Sequence, residues 1–286
     1  MYLSMNTNYY WDLPVVESIR KIAEAGFQYV ELADLSQMIK NNISSKEIDK
    51  LSKTCADIGV SIEQVHGYWG EYLEEGSQKW NQRLNIFQQE IVLAHLLGIK
   101  VIVSHEMGYP KPDKGLYDAP SVKSYKEFIE RNTRFFCSLL PYLEKTGVRI
   151  ALENLIYPVC PTGEELMELL SSINSPFFGV CMDTAHLCVN KLNIVRFIKI
   201  VGKNLIATHI SDSNNGNIDL HLFPVFGLHD NGWVDWHEVR DTLKQIGYEG
   251  IFNLEVPGQH YTTIQIRERK LKHEFGLLTD FLSGKL

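Results

Sequence analysis

The feature that most constrains this chain is a local pattern that recurs along its whole length: an amphipathic helical stretch, a glycine, then a short apolar strand. The junctions read EAGFQYVEL, DIGVSIEQVH, LLGIKVIVSH, KTGVRIALEN and QIGYEGIFNLEV. A glycine after a helix supplies the left-handed residue that ends it. The β-rich run that follows fits a parallel strand buried on both faces. Counting such runs predicts eight strands, at 2–6, 29–32, 61–66, 101–104, 149–153, 178–182, 206–210 and 251–255. Helical period fills 14–25, 45–58, 80–97, 121–146, 164–171, 192–202, 236–246 and 264–282. Thr162 followed by Glu165 makes a capping box before the fifth of these helices. Eight β/α units in 286 residues predict an α/β fold, a closed (β/α)8 TIM barrel forming a single domain over 1–286. An open doubly wound sheet would show a glycine-rich phosphate turn after its first strand. The segment NTNYYWDLP has none, and no Pro/Ser-rich linker divides the chain.

Four of the predicted strands end on a potential metal ligand. RIALEN ends on Glu153, FFGVCMD on Asp183, LIATH on His209 and GIFNLE on Glu255. A carboxylate on an apolar strand is costly to bury unless a cation or partner compensates it. Together these residues point to one oxygen-rich site for a divalent metal ion. They come from strands 5 to 8, neighbours around one side of a barrel mouth, and such barrels carry their active sites at the C-terminal strand ends. Each residue also has a plain alternative. Glu153 could cap a helix or pair with an arginine, and Asp183 could be an N-cap. His209 could be a core histidine bonded to a carbonyl, and Glu255 could pair with Arg267 or Arg269. For one residue alone the plain reading is preferred; for the four together a site is preferred.

More residues of ligand type fall at the same rim. Strand 3 ends in His66 and strand 4 runs into His105. His186 stands one helical turn after Asp183. Asp219 and His221 are two apart in a stretch expected to be extended, which would place them on one side. His95 and His237 read as helix-face residues and His229 as a loop residue. Cys181 reads as a core thiol rather than a nucleophile, on the face opposite Asp183's neighbour positions. The aromatic segment GYWGEYLEEG after strand 3 is either a packed loop or a wall for a sugar ring, and KPDKGLYDAP after strand 4 reads as a surface loop.

The net charge of −7 argues against a strongly electrostatic nucleic-acid binder. Five scattered cysteines without a CxxC pair are expected to be reduced, in a cytoplasmic protein. The segment MYLSMNTNYYW lacks the basic and apolar regions of a signal peptide, and no apolar run is long enough to span a membrane. The sequence leaves room for a homo-oligomer.

The segments GVCMDTAH, LENL, HISD with DLHL, and the final NLEV resemble the xylose-isomerase-like barrel superfamily along nearly the whole chain. That superfamily holds sugar-phosphate isomerases and epimerases, ketose epimerases, inosose dehydratases and endonuclease IV. In the isomerase and epimerase branch the matching residues bind one divalent metal, which implies Glu153, Asp183, His209 and Glu255 here. The position matching His186 contacts substrate there. The endonuclease IV branch holds three zinc ions, and its nine ligand positions have counterparts of matching type: His66, His105, Glu153, Asp183, His186, His209, Asp219, His221 and Glu255. The segment DLHLFPVFGLHDNGWVDW departs from the family's tight turn, because HDN stands between Gly227 and Gly232. NLIYP after Glu153 lacks the Arg and second Glu expected of ketose epimerases.

The resemblance therefore implies a metal-dependent isomerase or epimerase acting on a sugar or sugar phosphate, with zinc, manganese or magnesium as cofactor. Zinc is favoured if the extra histidines are ligands. Glu153 and Glu255 would be the catalytic carboxylates. An inosose-dehydratase-like lyase would use the same proton abstraction. Abasic-DNA cleavage ranks second, because the loops NYYWDLP and ADLSQMIKNNISSK are not notably basic. A sugar- or metal-binding barrel without turnover ranks third.

Overall fold

The structure is a computed structural model that describes residues 1–109, 122–156, 159–213, 218–226 and 234–286. The segment 111–120 and the turn at 227–232, including His229, lie outside the described residues. Eight parallel strands form the barrel: β1 (Tyr2–Asn6), β2 (Tyr29–Leu32), β3 (Ser61–His66), β4 (Val101–Ser104), β5 (Arg149–Glu153), β6 (Phe178–Asp183), β7 (Leu205–His209) and β8 (Ile251–Leu254). The hydrogen-bonded order runs β7-β6-β5-β4-β3-β2-β1-β8. The ring closes just past β7, where Ile210 bridges Leu254 and donates to the Asn253 carbonyl at 2.7 Å.

The helices around it are α1 (Val15–Glu24), α2 (Leu35–Lys40), α3 (Ser45–Ile58), α4 (Gln78–Leu96), α5 (Val122–Cys137), α6 (Leu140–Thr146), α7 (Gly163–Ile173), α8 (Thr184–Val189), α9 (Ile194–Val201), α10 (Trp236–Gln245) and α11 (Ile264–Leu282). The capping box of Thr162 and Glu165 opens α7. Two expectations change. The single helix predicted over 121–146 is split into α5 and α6, because Pro141 in the first turn of α6 has no N–H to continue the ladder. The stretch after β2, expected to be a loop, contains α2, whose first turn is capped by the Asp34 carboxylate on the Gln37 N–H at 2.9 Å.

Most apolar side chains lie in one cluster between sheet and helices. A second cluster of Val101, Val103, Ala151, Cys181 and Ala207 comes from alternate positions of β4 to β7, the faces that line the barrel interior. These small side chains fill the barrel below the mouth.

Two irregularities set the heights at the mouth. The β2–β3 register shifts between Val30 and Glu31, pairing Glu31 with Gln64. The β6–β7 register shifts between Val180 and Cys181, which brings Asp183 level with His209. Bulges of this kind re-aim side chains near functional sites.

Candidate metal centre

The four strand endings converge. Ligand-type atoms of Glu153, Asp183, His209 and Glu255 all lie within 4.8 Å of one another. His209 Nδ1 is 2.6 Å from Glu153 Oε1, 3.1 Å from Glu255 Oε2 and 4.0 Å from Asp183 Oδ2. Glu153, Asp183 and His209 are buried, and Glu255 is only slightly exposed. Asp183 is indeed an N-cap: its Oδ1 accepts the His186 N–H at 2.8 Å and opens α8. Its Oδ2 remains without a hydrogen-bond partner. The alternative pairing of Glu255 with Arg267 does not occur, because Arg267 forks onto Asp12 at 2.6 and 2.7 Å. Among the described residues the His209 ring bonds no carbonyl; its nitrogens face the carboxylates of Glu153 and Glu31.

The second group closes around the first. His105 Nε2 lies 3.0 Å and His66 Nε2 3.5 Å from Glu153 Oε2. Neither gives that oxygen a well-formed hydrogen bond, so it too is unpartnered. His66, His105 and Glu153 form one candidate ligand set, and Asp183, His186 and His221 another. Asp219 reaches His221 Nε2 at 2.9 Å and His186 Nε2 at 3.6 Å. Asp219 and His221 therefore face one another as expected, although His221 is not extended: its φ is +46°.

Residues two apart on a strand share a face, so Cys181 lies on the same inward face as Asp183, among Ala151 and Ala207. It remains a core thiol, its pKa pushed well up by burial. His95 and His237 lie on helices away from the centre, as expected.

Local chemistry explains the convergence. Asn154, in the LENL segment, clamps β5 to β6: its Nδ2 donates to the Asp183 carbonyl at 2.9 Å and its Oδ1 accepts the Asp183 N–H at 2.7 Å. The loop after β3 is held onto β4 by the Gly67 N–H on the Val103 carbonyl and the His105 N–H on the Tyr68 carbonyl, both at 2.8 Å. A Cβ at Gly70, where φ is +71°, would come 2.5 Å from the Glu106 carbonyl, so only glycine fits. This clamp lays half-exposed Trp69 flat on His66, ring centroids 4.0 Å apart.

Three residues were not found from sequence. Glu31 is wholly buried on β2, its Oε1 2.9 Å from His209 Nε2. Asn6 and Asn253 both donate to Glu31 Oε2. A signal existed: YVEL places a carboxylate in an apolar strand, as RIALE does.

The charges are strongly coupled. Burial acts to raise Glu153, but His209, His105 and His66 hold it well below the usual carboxylate range. Burial is likewise outweighed at Glu255, which His209 and His221 hold at about 2. At Asp183 burial prevails, with repulsion from Glu153 and Glu255, and its pKa rises to about 6. Burial opposes a charged His221, yet Asp183, Asp219 and Glu255 lift it to about 9. Burial also opposes charge on His209, while Cys181, Glu255, Glu31 and Glu153 hold it well above the usual value.

A divalent cation fits this donor set. Two buried carboxylate oxygens, Glu153 Oε2 and Asp183 Oδ2, lack hydrogen-bond partners. Leaving such a group unsatisfied costs about 1–3 kcal/mol, more when it is charged. Among the described residues no Lys or Arg pairs with any of the four ligand candidates. Three carboxylates and one imidazole suit zinc, manganese or magnesium.

Comparison with known proteins agrees with this architecture. An uncharacterised protein of Methanocaldococcus jannaschii is 29% identical over 136 residues, 45% of this chain and 44% of that protein. The inosose isomerase of Bacillus subtilis is 24% identical over 198 residues, 66% of this chain and 65% of that enzyme. The chain thus spans less than two thirds of either relative. Among solved structures, D-psicose 3-epimerase in the presence of D-fructose superposes with a TM-score of 0.79 at 18% identity, covering 99% of both chains. The IOLI protein with a binding zinc atom superposes with a TM-score of 0.77 at 18% identity, covering 100% of this chain and 99% of that one. Residues 19–281 match the family model described as the xylose isomerase-like TIM barrel, and the chain belongs to that family.

Proposed function

We propose that this protein is a divalent-metal-dependent isomerase or epimerase of a sugar or sugar phosphate, working by proton abstraction beside a carbonyl. The observation that carries the reading is the four-residue cluster: two glutamates, an aspartate and a histidine whose ligand atoms lie within 4.8 Å of one another. When bound there, a divalent cation would supply Lewis-acid polarisation of a carbonyl and its neighbouring hydroxyl. Glu153 and Glu255 stand on either side of His209, each within reach of its Nδ1. One of these carboxylates takes the proton from the acidified carbon, and the other, or the same one, returns it. His186 and His221 are held cationic by neighbouring carboxylates and would donate to substrate hydroxyls. The half-exposed face of Trp69 suits the C–H side of a sugar ring. The names of the inosose isomerase relative and the epimerase neighbours support the same class.

The test is incubation in deuterium oxide with zinc, manganese or magnesium and a panel of ketoses, inososes and sugar phosphates. Deuterium entering a carbon next to a carbonyl is the expected result. Loss of a β-hydroxyl instead would indicate an inosose-dehydratase-like lyase.

A second reading rests on the two further histidine-rich sets, which offer ligands for additional ions. Several metals would suit endonuclease IV-like cleavage of abasic DNA. Zinc-loaded protein on abasic duplex DNA tests it; catalytic strand cleavage without sugar interconversion would reverse the ranking.

A further inference from the structure

We propose that Glu31 is a positioning residue that fixes His209 as the Nε2–H tautomer, leaving Nδ1 to face the metal. This inference rests on the metal-site reading above and follows from counting donors and acceptors. The Asn8 backbone N–H donates to Asn6 Oδ1 at 2.8 Å. A backbone N–H can only donate, so the Asn6 amide is pinned with its Nδ2 toward Glu31 Oε2, 2.8 Å away. Asn253 Nδ2 donates to the same oxygen, and Asn253 Oδ1 accepts from Ser4 Oγ at 2.8 Å. Two amide donors thus occupy Glu31 Oε2. Among the described residues the other oxygen, Oε1, has one hydrogen-bond partner, His209 Nε2 at 2.9 Å. A carboxylate can only accept there, so the proton sits on Nε2. Nδ1 is the nitrogen turned toward Glu153, Glu255 and Asp183.

A second observation comes from the backbone. The register shift at Val30 and Glu31 points this side chain into the barrel, and the shift at Val180 and Cys181 sets Asp183 level with His209. The two bulges bring Glu31, on the far side of the barrel, to the back of the same imidazole.

The variant Glu31→Gln turns the argument into an experiment. The pinned Asn6 donor selects the glutamine carbonyl, so the glutamine NH2 must face His209 Nε2. That nitrogen then has to accept, and the proton moves to Nδ1, where it competes with the metal. Outer partners of metal-bound histidines typically change affinity about 10–100-fold. The experiment combines calorimetric zinc titration with nitrogen-15 NMR of histidine-labelled protein, on wild type and Glu31→Gln. In zinc-loaded wild type, His209 should show a protonated Nε2 and a metal-bound Nδ1. The variant should bind zinc 10–100-fold more weakly and, metal-free, carry its proton on Nδ1. Zinc on Nε2 of the wild type would overturn the inference, even if the variant fails to fold. An unchanged tautomer and affinity in a folded variant would overturn it too. No zinc binding by wild type would instead sink the metal-site reading, and this inference with it.

Discussion

Two of the regions where this protein buries carboxylates meet the cost differently. Between α2 and α4, Glu90 is wholly buried and accepts from Arg83 Nη2 at 3.1 Å on both oxygens, with Ser36 Oγ on one of them. Arg83 in turn lies over the Tyr68 ring, 4.1 Å from its centroid. The Glu90 carboxylate is thus satisfied on both oxygens by the protein's own side chains. At the barrel mouth, Glu153 and Asp183 are equally buried, yet each keeps an oxygen without a hydrogen bond. Histidines and other carboxylates surround them, and no guanidinium or ammonium among the described residues pairs with them. A carboxylate with its own arginine is part of a scaffold. Carboxylates crowded together with open oxygens are arranged for something the chain itself does not supply.

The contrast predicts different consequences for similar mutations. The largest effect is on turnover: Glu255→Gln should reduce deuterium exchange at the substrate carbon by about 10²–10⁴ while thermal unfolding stays near wild type. Exchange at the wild-type rate would remove Glu255 from the chemistry. Next, Glu90→Ala leaves Arg83 buried and uncompensated and should cost about 3–5 kcal/mol in denaturant unfolding, with kcat per folded molecule unchanged. A loss below 1 kcal/mol there would erase the distinction between the two regions.

Asp183→Asn should act with the opposite sign on the metal-free protein. The folded pKa of Asp183 is raised from 3.8 to about 6, so its charge favours the unfolded state. Its stability contribution is fully present below 3.8 and is lost as pH rises to about 6. Removing the charge while keeping the N-cap oxygen should stabilise metal-free protein at neutral pH by on the order of 1 kcal/mol. Zinc affinity should fall in the same variant, and destabilisation of the metal-free form would contradict the account.

The smallest effect is a pH slope. His209 is held protonated in the metal-free site and must release its Nδ1 proton to a metal. Asp183 adds a second proton below about 6. Metal affinity should therefore fall with falling pH, by up to about tenfold per unit for each proton displaced. Calorimetry in buffers of different ionisation enthalpy reads that proton release directly.

Much of this was legible in the sequence because it is local. The bounds of β1 to β5 and of α3 match their expected spans, since each strand is a short apolar run fenced by glycine or polar residues. The candidate ligand residues were visible because a carboxylate ending an apolar run is anomalous in itself. The failures involve geometry that one sequence does not carry. Glu31 shows the same anomaly within β2, but its role depends on a bulge and on a histidine 178 residues away. The positive φ at His221 was not expected, because few residues other than glycine adopt it, even though histidine does so more often than most.

The central claim is that the mouth of this barrel holds a divalent cation. Anomalous scattering at the zinc and manganese edges, from crystals of the purified protein with and without added metal, tests it most directly. The account predicts a peak about 2.0–2.6 Å from a carboxylate oxygen of Glu153, Asp183 and Glu255 and from Nδ1 of His209. No peak there at saturating metal, with the four side chains turned to separate places, would contradict it.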